Sequence, residues 1–222
     1  MTADIDSGTV AAYLASHPHF FEEHAQLLAN VRLSSALGGR TVSLQERQME
    51  VLREKLRSME LRLAELYRLG EENDALNQRF QQWTTALLMA RNDVDLPHVM
   101  VDGLKTIFAL PHATVRLWNV APACSHTWYA QELDADTRIF ANSLQVPFCG
   151  PNNDLEAARL LEDAQEIRSL ALLPLRAAPQ AEAFGLLVLG SPDGARFTTD
   201  MATDFLSRIA ETAAAALSPL LA

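Results

Sequence analysis

No proline interrupts residues 41–92 of this 222-residue chain, and apolar side chains recur along that stretch at alternating steps of three and four. Val42, Gln45, Met49, Leu52, Leu56, Met59, Leu63 and Leu66 occupy the recurring positions, and the six from Met49 to Leu66 are all apolar. This is the seam pattern of a coiled-coil helix. One helix of that span would be about 75 Å long at 1.5 Å per residue. Alone it would leave a continuous apolar stripe in water, so the stripe needs a partner. Thr41 or Ser43 suits its start, with Glu46 three residues after Ser43 as a capping box. Lys55 falls at a g position and Glu60 at the next e position, so a parallel pair of chains would set opposite charges across the seam. Gly70, Asn73 and Asn77 break the frame, which resumes one position early at Leu69, Leu76, Phe80, Trp83 and Leu87, a three-residue stammer. The expectation is a homodimer through residues 42–87, with Met49, Leu52, Leu56, Met59, Leu63 and Leu66 at the interface. The alternative is a long helix folded back on its own domain.

Two further regions flank this helix. Residues 1–40 read as a helical hairpin and linker: two short helices hinged at Pro18, then a Gly-Gly pair at 38–39. Residues 93–222 switch to mixed α and β. A helix is expected at 96–108 with Pro97 in its first turn, a half-buried strand at 113–119, and a weaker strand at 126–130. A strand at 144–148 and a helix at 153–164 capped by Asn153 follow. The apolar runs 169–175 and 184–190 have strand length and predict a hairpin at the centre of a sheet. A closing helix, capped by Thr198 or Thr199, carries Phe205, Leu206, Ile209, Ala213 and Leu217 on one face.

The charge is uneven. Residues 1–92 hold 10 Lys/Arg against 12 Asp/Glu, a net of −2, and residues 93–222 hold 8 against 16, a net of −8. An acidic domain repels phosphate backbones, so nucleic acid is not an expected partner. Two cysteines fit a reducing compartment. No apolar run approaches the roughly 18 residues of a spanning helix, and MTADIDSGTV lacks the hydrophobic stretch of a signal peptide. A cytoplasmic location and no membrane association are expected.

Ser169-Leu-Ala-Leu-Leu-Pro-Leu175, Phe184-Gly-Leu-Leu-Val-Leu-Gly190, Arg196-Phe197 and Asp200 together resemble the GAF domain. Across nearly all of residues 9–217 the chain also resembles the bacterial DUF484 family. That resemblance is carried by Phe20-Phe21 after His-Pro, Val42-Ser-Leu-Gln-Glu-Arg-Gln48, Glu72-Asn73-Asp74, Phe148-Cys149-Gly150 and the Gly-Ser-Pro-Asp run at 190–193. The chain departs from the pattern at His19, where an acidic residue is common, and at Ala202-Thr203, where Gly-Thr is common. The resemblance implies an α+β fold: a GAF-like antiparallel sheet domain with helices, preceded by an all-α region with a long coiled-coil helix. The family label assigns no activity. Its frequent neighbourhood with a tyrosine recombinase implies an accessory role in DNA recombination as one further reading.

The chemistry found is sparse. Cys149 is the one thiol near a predicted strand end, with His98, His112 and His126 in the same domain, yet no spacing brings a base to it. His17, His19 and His24 stand beside Glu22 and Glu23, but Pro18 between the first two turns them apart, so they read as residues of a helix start and no metal is expected. Phosphate-loop and dinucleotide fingerprints are missing, as is the N-K-x-x-x-F-x-x-x-D-E signature of cyclic-nucleotide GAF domains. No cofactor and no enzymatic activity are expected. What remains is a pocket between one sheet face and its cover at residues 120–165, where GAF-like folds hold small molecules. Arg116 and Trp118 would form its floor, with Trp128, Arg138, Phe140, Phe148, Cys149 and Asp154 in the cover. An aromatic pocket with an arginine suits a small anionic or planar ligand. The leading expectation is a dimeric interaction or regulatory module with a protein partner. A small-molecule sensor, with the stammer as its compliant point, is the alternative.

Overall fold

The computed structural model describes residues 6–30, 32–34, 41–201 and 203–222, with side-chain surroundings left aside for 28–46. Two units are distinguished, Met1–Glu72 and Asn73–Ala222.

In the first unit, α1 (Ser7–Ser16) starts where the Asp6 carboxylate accepts from the Gly8 N–H at 3.2 Å. The expected second helix is divided into α2 (Phe20–Glu23) and α3 (Ala25–Asn30). Pro18 lies in the turn before α2 rather than inside it. The Gly-Gly linker lies outside the described residues. Residues 41–43 are not helical. They form β2 (Thr41–Ser43), antiparallel to β1 (Arg32–Ser34), so Val42 leaves the heptad frame. The long helix α4 runs Leu44–Leu88, which puts Ser43 just before its first residue.

From Met49 to Leu66 the expected seam faces water, each of the six side chains being between 49% and 65% exposed. Surface pairs at helical spacing support this stretch: Arg47 with Glu50, and Arg68 with both Glu65 and Glu72. The Arg68 hydrogen bonds hold the Glu65 carboxyl below the usual carboxylate range.

The second unit is an α+β domain with a four-stranded antiparallel sheet in the order β3-β6-β5-β4. Its strands are β3 (His112–Leu117), β4 (Phe148–Pro151), β5 (Ser169–Arg176) and β6 (Ala183–Ser191). The predicted hairpin is the central pair: Leu172 stands opposite Val188 and Leu173 opposite Leu187. Both strands are apolar almost throughout because both faces of the sheet are covered.

On one face lie α5 (Leu96–Ile107) and α7 (Asp204–Leu217), with the last turns of α4. Trp83 and Leu87 of α4 are buried there among Val115, Leu173, Leu187 and Leu217. The seam positions at 80–87 are thus occupied within the chain's own domain. The Trp83 indole N–H donates to the Met100 carbonyl at 3.1 Å. Gly103 makes this approach possible, since a Cβ there would stand 2.6 Å from Trp83 Cδ1. The helix α7 begins later than expected, with Thr203 at its cap position.

The other face is covered by residues between 133 and 167, whereas the segment before them packs on the helical side through Cys124 and Tyr129. The expected strand at 126–130 is instead the 3-10 turn Trp128–Ala130, preceded by another at Pro122–Cys124, and buried Tyr129 anchors it in the helical-side core. The strand expected at 144–148 is β4, four residues that begin at Phe148. The expected helix 153–164 is only a 3-10 turn, Glu156–Leu160. It is tied down by Asn152, which accepts from the Leu155 N–H and donates to the Ile167 carbonyl. An unpredicted helix, α6 (Ala135–Ser143), is capped by Asp134. Arg176 secures its far end, with Nη2 donating to the Asn142 and Leu144 carbonyls at 2.8 and 2.9 Å.

Candidate functional site at the edge of the sheet

Alternation along β3 settles which side chains face which way. Val115 and Leu117 enter the core beneath α5 and α7, whereas Trp118 joins the core of the cover side. Arg116 is half-buried on that second side and opens into a cavity of about 510 Å³. One wall is the face of α5 that carries His98, Val101, Asp102 and Lys105. The other walls are His112 to Thr114 of β3, Trp128, Leu160 and Glu162.

Two polar contacts border the cavity, His98 Nε2 with the Asp102 carboxylate at 3.1 Å and the Lys105–Glu162 ion pair at 3.8 Å. Arg116 has no carboxylate partner among the described residues. Its Nη1 donates to Thr114 Oγ1 at 3.1 Å and to the Val115 carbonyl at 3.0 Å, and its Cζ lies 5.9 Å from the centre of the Trp128 ring. Burial pulls the guanidinium below its ordinary value.

Of the eight expected pocket residues, only Arg116 and Trp128 line this cavity. Trp118 lies under Arg138, whose Cζ is 5.9 Å from its ring. The buried Arg138 Nε has no hydrogen-bond partner among the described residues. Phe140 and Phe148 pack edge to face at 6.4 Å. Phe140 also borders a smaller cavity of about 180 Å³ with Thr137 and Leu155. Between sheet and cover the expected pocket space is filled by Leu170, Leu172, Leu186 and Val188 against Ala157, Ala158, Leu161 and Ile167. Cys149 points to the opposite face from Phe148, is buried in the helical-side core, and has its thiol pushed up by burial. Asp154 is exposed in a turn with φ 55°.

His98, Asp102, Lys105, His112 and Glu162 were not among the expected pocket residues, although His98 and His112 were weighed as bases for Cys149. Their only signal was the i, i+4, i+7 spacing of His98, Asp102 and Lys105, which sets three polar side chains on one face of α5. The N-terminal histidines are apart in role: His17 stacks on Tyr13, His19 pairs with Glu22 and His24 tilts over Phe20. Among the described residues no group of three or more His, Cys, Asp or Glu is placed to hold a metal. Nor is any described helix long and apolar enough to cross a membrane.

A long helix followed by an α+β domain, with a polar cavity at the edge of an antiparallel sheet, defines the class. The chain belongs to the DUF484 family, described as a protein of unknown function, whose model matches residues 1–221. The chain is similar to a GAF domain from Pseudomonas syringae pv. tomato, at 15% identity and a TM-score of 0.45, covering 69% of this chain and 92% of that one. It is also similar to free methionine-R-sulfoxide reductase from Neisseria meningitidis, at 13% identity and a TM-score of 0.43, covering 64% and 88%. A third is the phycoerythrobilin-bound GAF domain of a cyanobacterial phytochrome, at 11% identity and a TM-score of 0.44, covering 66% and 96%. No curated protein matches the chain.

Proposed function

We propose that the chain is a non-enzymatic, cytoplasmic regulatory protein that works as a homodimer paired along α4 and presents itself to a protein partner. The observation that carries this reading is the row of six water-facing apolar side chains from Met49 to Leu66. A second copy covers that row, and Lys55 against Glu60 favours the parallel arrangement. The seam ends before Phe80, because Phe80, Trp83 and Leu87 are committed to the core of their own domain. The burial of both thiols speaks against a cysteine nucleophile.

A second reading, a small-molecule sensor, is favoured by the cavity around Arg116. Native mass spectrometry on protein purified from its own host tests both. Twice the 24.5 kDa chain mass is expected, and a stoichiometric added mass marks the sensor. Leu56→Asp combined with Leu63→Asp should leave single chains that remain helical. A double variant that is still dimeric refutes the pairing.

A further inference from the structure

We infer that the cavity beside β3 is a binding site for a small planar carboxylate, held by Arg116 and stacked against Trp128. The inference rests on the sensor reading and adds the ligand's chemistry and the atoms that recognise it.

Arg116 is the starting point. Its two Nη1 hydrogens are spent on Thr114 Oγ1 and the Val115 carbonyl. Those bonds fix the plane of the guanidinium. The Nε–H and both Nη2 hydrogens take no acceptor among the described residues, and that edge of the fork is the one that meets a carboxylate with two parallel bonds. A half-buried cation with no carboxylate within ion-pair distance among the described residues is an unfavourable arrangement for a folded domain taken alone. A bound carboxylate supplies the missing charge.

The remaining walls narrow the ligand. Trp128 lines the cavity beside the guanidinium and is 38% exposed. A flat apolar body stacks on an aromatic ring while its acid group reaches the arginine. The volume of about 510 Å³ lies within the range of ordinary small-molecule sites. Asp102 and Glu162 also line it. Two carboxylates tolerate a singly charged guest beside one free guanidinium and disfavour a doubly charged phosphate. His98 and His112, from two different elements, stand ready to hydrogen-bond a polar substituent.

Tryptophan fluorescence of the full-length protein reports the site, because Trp83 and Trp118 are buried and Trp128 is the tryptophan a ligand can touch. Titrated with benzoate, acetate and inorganic phosphate, the protein should show saturable quenching by benzoate, with affinity at least about tenfold above that for the other two. Arg116→Gln should weaken benzoate binding by about tenfold or more while the melting temperature stays unchanged or rises. Arg116→Lys should not restore it, since an ammonium lacks the fork. Trp128→Phe should abolish the quenching and leave calorimetric binding measurable. Non-saturating quenching, equal affinity for the three anions, or unchanged benzoate binding by Arg116→Gln overturns the assignment. An uncharged molecule found on host-purified protein would also overturn it while leaving the sensor reading standing.

Discussion

Gly103 and Gly70 both lie inside helices, yet Gly→Ala should have opposite signs at the two. In α5 the new methyl of Gly103→Ala would stand 2.6 Å from Trp83 Cδ1 and 3.2 Å from its Nε1. The indole is fully buried and cannot swing aside. Overpacking of this kind costs about 1–3 kcal/mol. Displacing the ring also breaks its bond to the Met100 carbonyl, leaving a buried donor unpaired at about 1–3 kcal/mol. Alanine returns about 1 kcal/mol through helix propensity. The net expectation is a loss of about 1–5 kcal/mol, or at least about 2 °C in melting temperature for a unit of this size. At Gly70 in α4 nothing lies within 4 Å of the added methyl, so only the propensity gain of up to about 1 kcal/mol applies. Urea unfolding of the full-length protein, followed by tryptophan fluorescence, reads the Gly103 effect, and helical ellipticity reads the Gly70 effect. Gly103→Ala at or above wild-type stability would refute the account of Trp83 packing.

Burial raises the Cys149 thiol, so the native state keeps this proton after the unfolded chain has lost it. Stability should therefore fall as pH rises past the ordinary thiol value of 9.0, and Cys149→Ala should flatten that part of the profile in pH-dependent urea melts. In native protein near pH 7 both thiols should react slowly with an aromatic disulfide reagent and quickly in denaturant; fast native reaction would contradict their burial. Arg176→Met should cost about 1.5–3 kcal/mol by thermal melt, because it strips a charged donor from the carbonyls that end α6.

The central hairpin was legible because strands covered on both faces must be apolar at consecutive positions, as Leu170 to Leu173 and Leu186 to Leu189 are. Helix α4 was legible from its period and the lack of proline. That same period carried the seam into Phe80, Trp83 and Leu87, since helical spacing marks a buried face without naming what buries it. The cover resisted reading because 3-10 turns have no amphipathic repeat and are fixed by single contacts, such as Asn152 with Ile167. At the site, Arg116 and Trp128 stood out by residue type. Their neighbours on α5 did not, because only tertiary packing brings the face of His98 and Asp102 alongside β3.

Arg176 grips α6 by its backbone. The acceptors are the carbonyl oxygens of Asn142 and Leu144, which every amino acid supplies. Drift in the side chains along that helix end therefore leaves the grip intact, and only replacement of the arginine releases it. The cover can diversify its outward chemistry while this backbone hold stays constant, although the Asn142 Oδ1, which accepts from the Ala183 N–H at 2.8 Å, adds a tie that depends on its side chain.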